Sequence, residues 1–187
     1  MKISTLLLST LMVTLPLYAQ NDSNEESAKI GETVSAALIQ KLGGELKMQM
    51  TQNGPIAALG FCNASAQTLT KEVSTTTHYT VKRVSMLERN PQNRANAQEA
   101  AVLNAWQAKL NAAQPLPAYE IASDGNMNHF YKPILINNEA CLKCHGAVDS
   151  QSELGKAIKA AYPNDIATGY KMGDLRGMIV VDIPLKR

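Results

Sequence analysis

An α+β fold, with long N-terminal helices packed on an antiparallel sheet, is the class the sequence predicts, and three observations carry that prediction. Apolar residues recur every four positions from Ile30 through Val34, Leu38, Leu42 and Leu46 to Met50, the mark of one helix face. Alternating segments rich in β-branched residues are confined to the chain from Tyr79 onward. Between two of them stands Asp124-Gly125, a pair that supplies the positive φ angles a tight hairpin turn requires. Helices first and strands after, in 187 residues without an internal repeat, describe one α+β domain.

Residues 1–19 read as a secretory signal peptide. Met1-Lys2 is a short positive start, Leu6 to Leu17 is apolar except for Ser9, Thr10, Thr14 and Pro16, and Ala19 is a small residue before the cut. The run falls short of the ~20 apolar residues of a spanning helix. No cysteine lies near the cut to carry a lipid. The expectation is a periplasmic protein with no membrane anchor. Residues 20–28, polar and acidic, form an expected disordered lead-in, and 29–187 the domain itself.

Within that domain the first helix is weakened at Gly43-Gly44 and stopped by Asn53-Gly54-Pro55, with Pro55 opening a second helix in the first turn, where its missing N–H costs little. On this second helix Ile56, Leu59, Cys62, Ala66, Leu69 and Val73 follow spacings of three and four, so Cys62 faces inward. Residues 79–85 form a strand. A loop follows, then a helix with Leu103, Trp106, Leu110 and Ala113 on one side, ended by Pro115 and Pro117. Residues 119–122 and 128–136 make the hairpin around Asp124-Gly125, and Pro133, which has no N–H to donate, assigns the second strand to a sheet edge. A helix over 152–162, a Gly-rich loop and a closing apolar strand over 176–183 complete the pattern.

The chemistry concentrates in "EACLKCHG", residues 139–146. Cys141, Cys144 and His145 can supply two thioether bonds to a haem edge and an imidazole to its iron within one turn of chain. Zinc would need two further ligands. A thioredoxin-like redox pair would leave His145 and Gly146 without a role. The three cysteines of the chain are Cys62, Cys141 and Cys144, and this odd count leaves a free thiol under any disulfide scheme, whereas haem attachment uses two and frees Cys62. One such motif means one haem, with His145 as one axial ligand. The other is open among Cys62, His78, His129 and a methionine, of which Met172 or Met178 suits an electron carrier. Arg83 and Arg176 are candidates to pair the haem propionates.

Charge excludes other classes. The formal net charge is +2, with no basic cluster, so neither nucleic acid nor an anionic membrane is expected as a partner. Peroxidase chemistry would need a distal acid/base pair, none is visible, and the chain is expected not to be an enzyme.

Four blocks in this order, "GFCNASA" (60–66), "VKRVSMLERNPQNRANAQE" (81–99), "EACLKCHG" (139–146) and "YPNDIATGYKMGDLRGMIVVDI" (162–183), resemble the c-type haem sensor family. The resemblance implies a PAS-like fold and an iron held by the motif histidine and by a cysteine from the N-terminal helices, the position of Cys62. The family's Arg-Val-Ser and Arg-Asn-Pro elements stand here as Arg83-Val84-Ser85 and Arg89-Asn90-Pro91. Without an attached signalling domain, a redox or diatomic-gas signal would pass to a separate signalling or redox partner in the periplasm. The competing expectation is a periplasmic monohaem cytochrome c that carries electrons.

Overall fold

The computed structural model describes residues 17–185, with side chains from residue 23. The expected leader therefore lies almost wholly outside the described residues. Among these, no helix is long and apolar enough to cross a membrane.

Helix α1 spans Leu17–Thr77 and is broken at Gly54, where φ is 78° and ψ −178°. That conformation suits a residue without Cβ, and Pro55 then fixes the φ of the next helical turn. The break folds α1 back on itself. Val34 and Leu38 before it and Val73 after it share one buried cluster, and Lys41 pairs with Glu72 at 2.7 Å. The four-residue apolar repeat is used through Leu42, which packs on that cluster, while Leu46 is 38% exposed. The polar stretch expected as a disordered lead-in is helical instead. Ser27 is buried there and accepts from the Asn128 side chain at 2.9 Å, so sheet packing overrides a composition that favours disorder.

The sheet has four strands, β1 (Thr80–Val84), β2 (Glu120–Ser123), β3 (Met127–Leu135) and β4 (Leu175–Pro184), all antiparallel, in the order β1-β4-β3-β2. Period-two alternation sends Val81, Phe130, Ile179, Val181 and Ile183 to the face covered by α1. Val84, Tyr131, Met178 and Val180 take the other face, against Leu103 and Trp106 of α2 (Ala97–Asn111). β4 is thus covered on both sides, which explains its nearly unbroken apolar run. A capping box at Asn96 and Glu99 starts α2.

The hairpin forms as expected, but β3 is not an edge strand. It pairs with β2 on one side and β4 on the other. Pro133 is accommodated because β2 reaches only from Asn128 to Tyr131 along β3, so that flank has no ladder at Pro133. Two short helices, α3 (Glu139–His145) and α4 (Glu153–Ala161), fill the link between β3 and β4. α4 packs Ile158, with Tyr162 after it, on Leu59 of α1. This places the second arm of α1 and the α3 region at the same end of the sheet.

Candidate functional site

The motif "EACLKCH" is α3 itself. Asn138 caps it by accepting from the Ala140 N–H, and Gly146 ends it with its N–H on the Leu142 carbonyl at 2.8 Å. A Cβ at Gly146 would lie 2.6 Å from that carbonyl oxygen, so the glycine after the histidine is set by close packing. The loop from Tyr162 to Asp174 is clasped to the end of α3: Gly169 N–H donates to the Gly146 carbonyl and Tyr170 N–H to the His145 carbonyl, both at 2.9 Å.

His145 is held by this loop. Its Nδ1 lies 2.8 Å from the Ala167 carbonyl oxygen, and the Tyr170 ring meets it edge-on at 6.2 Å. A carbonyl can only accept, so Nδ1 carries the proton and Nε2 keeps its lone pair. Burial, with the cations of Arg176 and Arg89, pushes the ring down to about 3, so His145 is neutral at ordinary pH. A neutral imidazole with one nitrogen fixed by a backbone acceptor is the form that ligates a metal.

Two arginines, Arg89 and Arg176, act on His145, and a third, Arg83, lies near Arg176. Arg89 donates from Nη2 to the Cys144 carbonyl at 2.7 Å and pairs with Asp165 at 3.0 Å, their side chains 9% and 5% exposed. Arg176 donates from Nη1 to Ser85 Oγ and the Leu87 carbonyl, its guanidinium 5.4 Å from the Tyr170 ring centroid. Arg83, on the α1-facing side of β1, lies near Cys62, Arg176 and Tyr162, and burial lowers its proton affinity. The Nε atoms of Arg83 and Arg89 are buried with no hydrogen-bond partner among the described residues. Two buried cationic donors without acceptors suit a bound anionic group.

Cys62, Cys141 and Cys144 are free, half-buried thiols. Burial pushes the Cys62 thiol up, opposed by Arg83; Cys144 raises it further and Arg89 opposes it. Burial raises Cys144 too, against Arg89. Arg89 links the two sides, acting on Cys62 as well as on His145 and reaching the Cys144 carbonyl, while Cys141 packs on the Ile136, Ala167 and Tyr170 cluster.

The other ligand candidates lie elsewhere. Met178 is fully buried against Trp106 on the α2 side, and Met172 is 50% exposed in the loop. His129 is engaged by Asp182 at 2.8 Å, and His78 is exposed at the end of α1 with φ 62°. No cluster of three or more His, Cys, Asp or Glu residues that could hold a metal ion occurs among the described residues.

The sequence profile of one family matches residues 14–184, nearly the whole chain. The chain belongs to the Tll0287-like family. Among solved structures it is similar to the crystal structure of the cyanobacterial heme-protein Tll0287, at 26% identity and a TM-score of 0.65, covering 87% of this chain and 97% of that one. No curated protein matches it. The Tll0287-like match spans α1 through β4, so all the residues gathered here lie within the family's extent.

Two partners in this Tll0287-like chain stand inside the 162–183 block without any residue pattern that names them as partners of His145 or Arg89. Asp165 and Ala167 sit in a Gly-rich loop about twenty residues past the motif, and only the fold returns them to His145. Arg89 was visible inside the Arg-Asn-Pro element, but its clamp on the Cys144 carbonyl was not.

Proposed function

We propose that this chain is an exported haem-binding protein with one haem c, joined through Cys141 and Cys144 and ligated by His145 and Cys62. In this reading it has a PAS-like sheet, is not an enzyme, and reports redox state or a diatomic gas to a separate periplasmic partner. The observation that carries the reading is the His145 ring, neutral, with Nδ1–H committed to the Ala167 carbonyl and Nε2 left for a metal. The family and its heme-protein relative support it.

Bound here, the haem would supply a one-electron couple and an iron open to ligand exchange. The residues divide the remaining work. The Nε donors of Arg83 and Arg89, buried and without a partner among the described residues, would be available to anionic substituents such as propionates. Burial holds the Cys62 thiol in its protonated form; a bonded cation would displace that proton to solvent, and the Arg83 guanidinium beside it favours the thiolate that remains. Of the two methionines an electron carrier would use, Met178 is packed in the core of the opposite face and Met172 is half-exposed in the loop that holds His145.

A pyridine haemochrome assay on protein made with c-type maturation machinery tests the proposal. The expected result is one haem per chain that resists acid extraction. Haem released by acid solvent, or no haem at all, would refute it. Carbon monoxide or nitric oxide binding to the reduced protein then separates sensing from plain electron transfer.

A further inference from the structure

We propose that Arg89, paired with Asp165, sets the electronic character of His145 as an iron ligand; the role rests on the haem reading above. The Ala167 carbonyl oxygen takes two donors: His145 Nδ1–H at 2.8 Å and Arg89 Nη2–H at 3.3 Å. A carbonyl shared with a cation has less electron density to offer a second donor, so it draws the histidine proton less and keeps the ring nearer neutral imidazole. Asp165 completes the device. Its Oδ2 holds Arg89 at 3.0 Å while its Oδ1 accepts the Ala167 N–H at 2.9 Å, so one carboxylate orients both the cation and the loop segment that carries the acceptor.

Both side chains are more than nine-tenths buried, so solvent does little to damp either charge. The Cys144 carbonyl, on the peptide unit that joins Cys144 to His145, accepts from the same Nη2 at 2.7 Å and anchors the guanidinium to α3. Arg89 is a positioning residue, acting on the iron ligand through a backbone carbonyl.

The two charges should pull the potential in opposite directions. Losing the Arg89 charge leaves Asp165 uncompensated and frees Ala167 to draw harder on the His145 proton; both effects favour ferric iron and lower the potential. Losing the Asp165 charge leaves the cation and raises it. A purely structural role would shift both variants the same way, because either change opens the same contact.

The experiment is a spectroelectrochemical titration of haem-loaded full chain in wild type, Arg89→Gln, Asp165→Asn, Arg89→Lys and the Arg89→Gln/Asp165→Asn double variant. The expected result is a lower potential for Arg89→Gln, a higher one for Asp165→Asn, a double variant between the two, and a smaller shift for Arg89→Lys, which keeps the charge. If Arg89→Gln fails to fold, Asp165→Asn against Arg89→Lys still decides: an unchanged or lowered potential in Asp165→Asn overturns the assignment. A pyridine haemochrome assay of the same samples separates the two readings. Absence of haem c in the wild type overturns the haem reading and this role with it, whereas full loading with shifts of one sign, or none, overturns the role of Arg89 alone.

Discussion

Replacing Gly31 and Gly43 by alanine, two identical changes in the same helix, should have opposite effects on stability. Each gains the alanine preference of a helix interior, ~1 kcal/mol. They differ in what the new methyl group meets. At Gly43 nothing lies within 4 Å, whereas at Gly31 the Cβ would fall 2.1 to 2.6 Å from three ring atoms of Phe130. Comfortable carbon contact begins near ~3.5 Å, so the ring or the helix must move by more than ~1 Å. Phe130 has little room to yield, being 0% exposed and stacked on Tyr119 at 5.1 Å. Overpacking of this kind costs ~1–3 kcal/mol. Because the propensity gain is common to both variants, their difference isolates that cost, and Gly31→Ala should unfold at a melting temperature several degrees below Gly43→Ala, at ~2–4 °C per kcal/mol. Thermal unfolding of the full chain measures it. Equal midpoints, or Gly31→Ala the more stable, would refute the seat of α1 on Phe130 and with it the placement of the helix that carries Cys62.

Cys62→Ser and Cys62→Met should each change the haem spectrum and the potential, with the methionine variant higher, since a neutral thioether stabilises ferric iron less than a thiolate; an unaltered serine variant would mean that another residue binds the iron. Cys141→Ala or Cys144→Ala should leave a single thioether or none, read as partial or complete haem loss in acid solvent. Burial, with the carboxylates of Glu99, Asp182, Glu120 and Asp124 nearby, pushes Tyr131 up to about 12. The unfolded chain therefore gives up this proton first, so the stability held below pH ~10 is lost as the pH climbs toward the folded value. Tyr131→Phe should flatten that part of an alkaline unfolding profile, and a profile identical to the wild type would count against the burial.

Local signals were read where local physics decides. Gly54-Pro55, Asp124-Gly125 and the alternation of 79–85 each fix φ or a face on their own, and the turn, the hairpin and the strand stand where those residues put them. Pro133 misled because a missing N–H forbids a ladder partner at one residue, not along a whole strand, and β2 is short enough to end before it. Ser27 misled because its burial depends on Asn128, a hundred residues away. The site divides the same way. The spacing of Cys141, Cys144 and His145 is legible within one turn of chain, and the helical phase of Cys62 points it inward, but the carbonyl of Ala167 and the Arg89–Asp165 pair exist only once distant loops are packed together.

The position of β4 governs the order in which these pieces can assemble. It is the last strand in sequence, yet it lies between β1 and β3, and no ladder joins those two directly. Until Leu175–Pro184 has been made, β1 with its Arg83 and the β2–β3 hairpin leading to the Cys-x-x-Cys-His segment share no strand pairing. Such pairing is non-local and slow. A chain emerging N-terminus first therefore cannot complete this sheet before β4 arrives, and the strand that carries Arg83 stays unjoined to the strand that leads to Cys141 and His145 until then.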